Sequence, residues 1–385
     1  MKGLTLERRA AAGVREVLAV PVLSVLGGLL LGAIFLRATG HDPVAVYREM
    51  VTGTLTTSYG LADTVTTSIP LILAGLAAAV AFRVNLYNIG GEGQIYLGAV
   101  AATGATLWVG DTAPAVVQLP VLLVAGAAGG AAWIAVPALL RAWFGTNETI
   151  TTLMLNLVAL YLVQYLILGS HSFWRDPDSP TFPKGKPLPD AARLATFGTT
   201  SVHLGLVVAL AAVGVVAFVL RKLRLGLDMK IMGDAPDAAR YAGIPVRRTM
   251  VVVLLASGAL AGLAGAVEVG GRTHQLDPNG TAVGFGYTGI IVAALARLSP
   301  VGVVVTAVLL GVLENSKSVL QTMSDQVPLA ITTMLEGAIL IFAIGGEILV
   351  RHRIRRRTAP VTPAAQETAV GETAAVETAA EETAR

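Results

Sequence analysis

Between two strongly apolar runs the chain reads Phe82-Arg83-Val84-Asn85-Leu86-Tyr87-Asn88-Ile89-Gly90-Gly91-Glu92-Gly93-Gln94-Ile95-Tyr96. One carboxylate, Glu92, and two amides, Asn88 and Gln94, are interleaved with three glycines. Glycine lets backbone approach a ligand closely, and polar groups at membrane depth must find partners or water. The chemistry open to this set is hydrogen bonding to a polar solute, because an acidic residue beside a membrane-length run is usually kept for a site or pathway. A turn at a membrane surface is the plain alternative. A second break, Gly280-Thr281-Ala282-Val283-Gly284-Phe285-Gly286-Tyr287-Thr288-Gly289, precedes another apolar run. Its Phe285 and Tyr287 offer ring stacking and a hydroxyl.

Bond-making chemistry finds little support. Gly185-Lys186 is followed by Pro187, and no phosphate-binding loop occurs elsewhere. The five histidines, His41, His171, His203, His274 and His352, show no metal-ligand spacing and read as solvated loop residues. No Gly-x-Ser-x-Gly elbow or paired acidic motif is present. The expectation is a chain that is not an enzyme, with no metal site and no cofactor of its own.

The elements that must position these breaks follow from composition. Apolar residues make up 54% of the 385 and charged residues only 14%, against about 25% charged in soluble domains. Mean hydropathy is +0.69, and apolar runs approach the ~20 residues that cross a bilayer. A water-soluble monomer is thereby excluded. Zero cysteines exclude disulfides, thiolate metal sites and a Cys-linked lipid.

The reading is an all-α polytopic membrane protein of about ten spans. They fall at 17–36, 61–82, 93–109, 115–140, 148–168, 202–220, 250–269, 281–296, 300–315 and 327–349. The first is too long for a cleaved signal and lacks an A-x-A site. Residues 1–16 then form a cytoplasmic N-terminus and 17–350 the transmembrane domain. Of 28 Lys and Arg residues, eight fall outside: Arg37, Arg48, Arg175, Lys184, Lys186, Arg193, Arg272 and Lys317. The remaining twenty lie inside, which fits both termini in the cytoplasm. The spans 281–296 and 300–315 are short, as re-entrant pieces would be. Because the two breaks precede spans of opposite direction, they fit two inverted-topology halves whose interrupted helices meet near the midplane.

Two loops are long. The outer one, 169–201, carries five prolines and Trp174, which suits irregular backbone that either covers the core or docks a partner. The cytoplasmic one, 221–249, contains Gly233-Asp234-Ala235-Pro236-Asp237-Ala238-Ala239-Arg240-Tyr241-Ala242-Gly243. Asp234 as N-cap, Pro236 in the first turn and Gly243 after the end predict a helix over 235–242. A helix that short is marginal alone in water, so packing must order it, either on its own domain or in a partner's groove. Beyond Arg357, residues 358–385 repeat Ala, Thr and Glu without an apolar face and read as a disordered tail.

Three stretches together carry a resemblance: Tyr87-Asn88-Ile89-Gly90-Gly91-Glu92-Gly93-Gln94, then Gly145-Thr146-Asn147-Glu148-Thr149-Ile150-Thr151-Thr152-Leu153-Met154-Leu155-Asn156, then Ala238-Ala239-Arg240-Tyr241-Ala242-Gly243-Ile244. The chain resembles the permease subunits of bacterial ABC importers for nucleosides and simple sugars, over most of 60–350 and closer to the nucleoside branch. Gly91 departs from the Ala more often found there. The resemblance implies cytoplasmic ATP-binding subunits that carry the ATP and Mg, and a second, shorter permease paralogue. It also implies an external substrate-binding lipoprotein and a multi-pass place in the bacterial inner or plasma membrane. It puts Asn88, Glu92, Gln94, Asn147, Asn156, Phe285 and Tyr287 on the substrate pathway. Gly233 to Pro236 and Ala238 to Gly243 become the ATPase contact, with nucleic acid no partner. The alternative is a proton-coupled secondary transporter working through Glu92 or Glu268; a channel would only equilibrate its solute.

Overall fold

The chain is described from a computed structural model, over residues 4–8, 14–169, 171–179, 181, 183–278, 280–281, 284–322 and 330–356. The tail 358–385 and positions 282–283 of the second break lie outside the described residues. Thirteen α-helices account for most of the rest: α1 (Val14–Ala38), α2 (Pro43–Leu55), α3 (Ser58–Phe82), α4 (Gly91–Val109), α5 (Ala115–Phe144), α6 (Glu148–Gln164), α7 (Gly205–Lys222), α8 (Arg224–Asp234), α9 (Pro236–Tyr241), α10 (Val246–Glu268), α11 (Phe285–Leu295), α12 (Pro300–Thr322) and α13 (Ala330–Arg351). One π-helical turn, Tyr165–Gly169, continues α6, and another, Val269–Thr273, continues α10.

Each of the ten expected spans overlaps one helix, and among the described residues six helices are long and apolar enough to cross a membrane. Lengths differ at the second break. With 11 residues, α11 rises only about 16 Å at 1.5 Å per residue, roughly half the ~30 Å hydrocarbon core. The expected span 281–296 is therefore a half-length helix. Its successor is longer than expected, since α12 runs 23 residues.

Three elements were not anticipated. In α2 the Asp42 side chain accepts from the Val44 amide, with Pro43 in the first turn. The segment 221–249 holds two helices, α8 and α9, where one was expected. Asp234 ends α8 and does not cap α9, whose N-cap is Ala235; the expected helix over 235–242 is the six residues of α9. Gly243 does take the left-handed conformation that follows a helix end, at φ 74°. The third is a two-stranded antiparallel ribbon, β1 (Leu4–Arg8) with β2 (His352–Arg356), pairing Leu4 with Arg356. The helices nonetheless carry the fold, as the all-α reading expects.

Glycine makes the centre of the helical unit compact. On α5, Gly126 and Gly130 face Gly262 and Gly258 of α10. A Cβ on Gly262 would lie 2.2 Å from the Gly126 carbonyl oxygen, and one on Gly130 2.2 Å from that of Gly258. Two small residues four apart on each helix thus permit backbone contact, a packing mode suited to lipid, where burial between helices gains little. The most enclosed helix is α3, buried almost continuously from Thr64 to Ala81, and it lies against α10, α11 and α12. Three residues of the long proline-containing loop are bonded to the helical core: Trp174 Nε1 donates to Val100 O, and the amides of Leu188 and Leu194 donate to His274 O and Gly270 O. His203 is buried beside it, which corrects its reading as a solvated loop residue.

Candidate functional site

The two glycine breaks, 192 residues apart, are in direct contact. Glu92, in the first turn of α4, accepts from the Gly284 amide through Oε1 and from the Gly286 amide through Oε2, both at 2.8 Å. These are donors at the start of α11, where no intrahelical acceptor exists. The carboxylate therefore caps another helix, and its charge suits the positive end of that helix dipole. Contact this close needs glycine: a Cβ on Gly286 would lie 2.1 Å from the Glu92 nitrogen.

Asn88 and Gln94 bind each other. Asn88 Nδ2 donates to Gln94 Oε1 at 3.0 Å and Gln94 Nε2 donates to Asn88 Oδ1 at 2.9 Å. Asn88 also donates to Ser257 Oγ of α10 and accepts from the Gly90 amide. Its two donors and two lone pairs are all in use. The Ser257 hydroxyl donates onward to Ala77 O, so the first break is tied to both α10 and α3.

One face of α6 fixes the backbone of this break. Glu148, Thr152 and Asn156 recur at four-residue spacing and so line one stripe of the helix. The Tyr87 amide donates to Glu148 Oε1, the Ile89 amide to Thr152 Oγ1 and the Gly93 amide to Asn156 Oδ1. Asn156 Nδ2 donates to Ile89 O and to the Tyr287 hydroxyl. Glu148 also pairs with Arg141 of α5 at 3.2 Å. Irregular backbone between helices is thus satisfied by side chains.

The seven expected pathway residues divide accordingly. Asn88, Glu92, Gln94, Asn156 and Tyr287 are brought together in one network, and Phe285 is buried at its edge. Asn147 stands apart: it is the N-cap of α6 and accepts from the Thr149 and Ile150 amides. Tyr287 is 41% exposed, and its hydroxyl still has a proton to donate. Sequence reasoning passed over Trp133, whose Nε1 would sit 3.1 Å from a Cβ on Gly93 and makes no hydrogen bond. It also passed over Ser257 and Glu148. The regular spacing of Glu148, Thr152 and Asn156 was the available signal.

On the segment 221–249, Ala235, Pro236, Ala238, Arg240, Tyr241, Ala242 and Gly243 are exposed and Ala239 is buried. Tyr241 is 92% exposed. Arg240 pairs with Asp237 one turn back. At the end of α8, the Gly233 carbonyl accepts from Asn85 Nδ2 at 2.8 Å, so this segment touches the turn that leads into the first break.

Comparison with known proteins bears on this geometry. A family described as branched-chain amino acid transport system / permease component matches residues 60–344. The glucose ABC transporter permease protein of Haloferax volcanii is 37% identical over 341 residues, covering 87% of this chain and 89% of its own length. The guanosine ABC transporter permease protein of Bacillus subtilis is 36% identical over 301 residues, covering 76% and 84%. The nucleoside ABC transporter permease protein of Lactococcus lactis is 33% identical over 344 residues, covering 85% and 90%.

Proposed function

The chain belongs to the branched-chain amino acid transport system permease family as the multi-pass membrane component of an ABC importer, and we propose that its cargo is a nucleoside or a related ribose-containing solute. The observation that carries this reading is the network joining both breaks, in which Glu92 caps α11 while Asn156 and Tyr287 meet beside it. Two interrupted helix starts in contact make a junction that a conformational switch can open, and their amides, hydroxyl and rings suit a solute with a sugar and a base. Relatives that carry guanosine, nucleosides and glucose share ring solutes with hydroxyl groups as cargo.

In this reading ten segments span the cell membrane with both termini in the cytoplasm. ATP and Mg reside on cytoplasmic ATP-binding subunits that receive α9, an external binding protein delivers the solute, and a shorter permease paralogue completes the pathway. The test is reconstitution of the complete complex in vesicles, followed by uptake of labelled guanosine, uridine or glucose. Concentrative uptake that requires ATP and survives a protonophore is expected. Uptake that collapses with the proton gradient while ATP is maintained would replace this reading with a proton-coupled carrier using Glu92 or Glu268. Uptake of glucose alone would keep the importer and change the cargo.

A further inference from the structure

At the end of α5 a cleft of about 900 Å³ opens between that helix and the connection from α9 to α10. Four arginines line it, Arg141 and Arg240 with Arg247 and Arg248, and among the described residues no carboxylate does. Arg141 is committed to Glu148 and Arg240 to Asp237. Arg247 and Arg248 are exposed, and neither has a hydrogen-bond or ion-pair partner among the described residues.

Their position is unfavourable for the helix that carries them. Both lie in the first turn of α10, which holds no acidic residue and has no side-chain cap. Positive charge there opposes the helix dipole, and the helix end alone would select Asp or Glu. A topology signal needs cations only near the end of a span, not in the first turn of a helix beside a cleft. An anion in the cleft relieves both the repulsion among the guanidinium groups and the conflict with the dipole.

Depth indicates which anion. The 30 residues of α5 rise about 45 Å at 1.5 Å per residue, close to the ~40–45 Å of a bilayer with its headgroups. The last turn of α5 is therefore at headgroup level, where the exposed Trp143 and Phe144 are well placed. Ile244, Val246 and Met250 give the cleft an apolar side, which a soluble anion does not need and a lipid does.

We propose that this cleft binds the phosphate of an anionic phospholipid, held chiefly by Arg247 and Arg248. The planar guanidinium fork matches two phosphate oxygens at once, and the apolar side meets the lipid below its headgroup. The bound lipid bridges the end of α5 to the start of α10. Tyr241 does not line the cleft, so α9 keeps a face for a protein partner. This goes beyond the transport reading and needs only a chain embedded in lipid.

Native mass spectrometry of the complete importer released from detergent tests the site, with phosphatidylglycerol, phosphatidylcholine and inorganic phosphate as probes. Phosphatidylglycerol should be retained in preference to phosphatidylcholine, and millimolar phosphate should not displace it. Joint Arg247→Gln and Arg248→Gln substitution should weaken its retention about thirtyfold. Joint Arg221→Gln and Lys222→Gln substitution removes the same charge from the last turn of α7 and should leave retention unchanged. Equal retention of the two lipids, equal loss in both double variants, or retention that persists without Arg247 and Arg248 overturns the site. Displacement by phosphate also overturns it and gives the cleft to a soluble anion. Loss of the ATP-binding subunits from the Arg247 and Arg248 variant with lipid retention intact would give these arginines to that interface instead. Where a variant fails to assemble, a photoreactive phosphatidylglycerol decides on the wild-type complex: crosslinks within 141–145 or 240–250 are expected, and crosslinks confined to other segments overturn the site. ATP-driven uptake is scored separately, since import without lipid preference removes the site and leaves the importer, whereas lipid preference without import of any solute removes the importer reading alone.

Discussion

The side-chain amide of Asn85 donates to the Gly233 carbonyl oxygen at 2.8 Å, joining the turn before Glu92 to the last turn of α8. Asn85 holds a left-handed conformation, φ 56°, which Asn tolerates better than most residues. Close approach is enforced from the other side, since a Cβ on Gly233 would lie 2.1 Å from the Arg83 carbonyl oxygen. The end of α8 and the turn that leads into the first break are thereby held in direct contact. Asn85→Gly keeps the backbone conformation and removes only the bond. The expected outcome in reconstituted complexes is uptake reduced about fivefold, as for the loss of one net hydrogen bond, with ATP hydrolysis retained. Equal loss of hydrolysis and uptake would mean that the contact serves assembly instead of coupling.

The exposed face of α9 gives a second expectation. Tyr241 is an almost fully exposed aromatic residue at the end of a six-residue helix, and buried aromatic anchors contribute a large share of interface energy. Tyr241→Ala should reduce co-purification of the ATP-binding subunits while leaving membrane insertion intact. Ala239→Pro removes the donor that now reaches Ala235 O and distorts a buried contact, and it should uncouple the complex more severely. Wild-type co-purification and uptake in both variants would place the ATPase contact elsewhere.

How far the sequence led depended on which kind of signal each element left. The helices at Ser58–Phe82 and Val246–Glu268 announce themselves as long apolar runs, because lipid demands a continuous apolar segment. Both α2 and α8 mix charges with apolar residues and leave no such run, although Asp42-Pro43 is a legible helix start. At the site, the residue types drew attention to Asn88, Glu92 and Gln94, yet sequence spacing gave no means of seeing that Asn88 binds Gln94 or that Glu92 caps a helix near residue 285. Those contacts are long-range or turn-dependent. The half-length of α11 was equally hidden, since the apolar pattern of the sequence starts ahead of Phe285, where the helix begins.

The glycine contact between α5 and α10 predicts a steric effect on stability. Gly262→Val would place a branched side chain where the Gly126 carbonyl oxygen already lies 2.2 Å from the Cβ position. Backbone on the facing helix cannot move aside as a flexible side chain can, and overpacking commonly costs about 1 to 3 kcal/mol or more. The expected result is a clearly lowered unfolding temperature in detergent, with Gly262→Ala intermediate. Gly214, against which a Cβ would meet nothing within 4 Å, supplies the control: Gly214→Ala should leave that temperature unchanged or raise it.

The Glu92 carboxylate supports the strongest prediction, because one side chain satisfies two amides at once. Glu92→Gln keeps the volume and leaves one oxygen for the Gly284 and Gly286 amides, while its NH2 is turned toward a donor. Leaving a buried group unsatisfied costs about 1 to 3 kcal/mol, or roughly 5- to 150-fold in an equilibrium or rate constant. The start of α11 should loosen, and uptake should fall by an amount within that range at unchanged expression. Glu92→Asp retains both oxygens but is shorter by one methylene, so partial recovery relative to Gln is expected if the carboxylate acts as a cap. A proton-carrying role gives a different pattern: Gln would abolish gradient-driven uptake while leaving solute exchange at equilibrium intact. Measuring ATP-driven uptake and equilibrium exchange side by side in the same vesicles separates the two, and wild-type rates in both variants would show that the junction between the breaks is not part of the transport path.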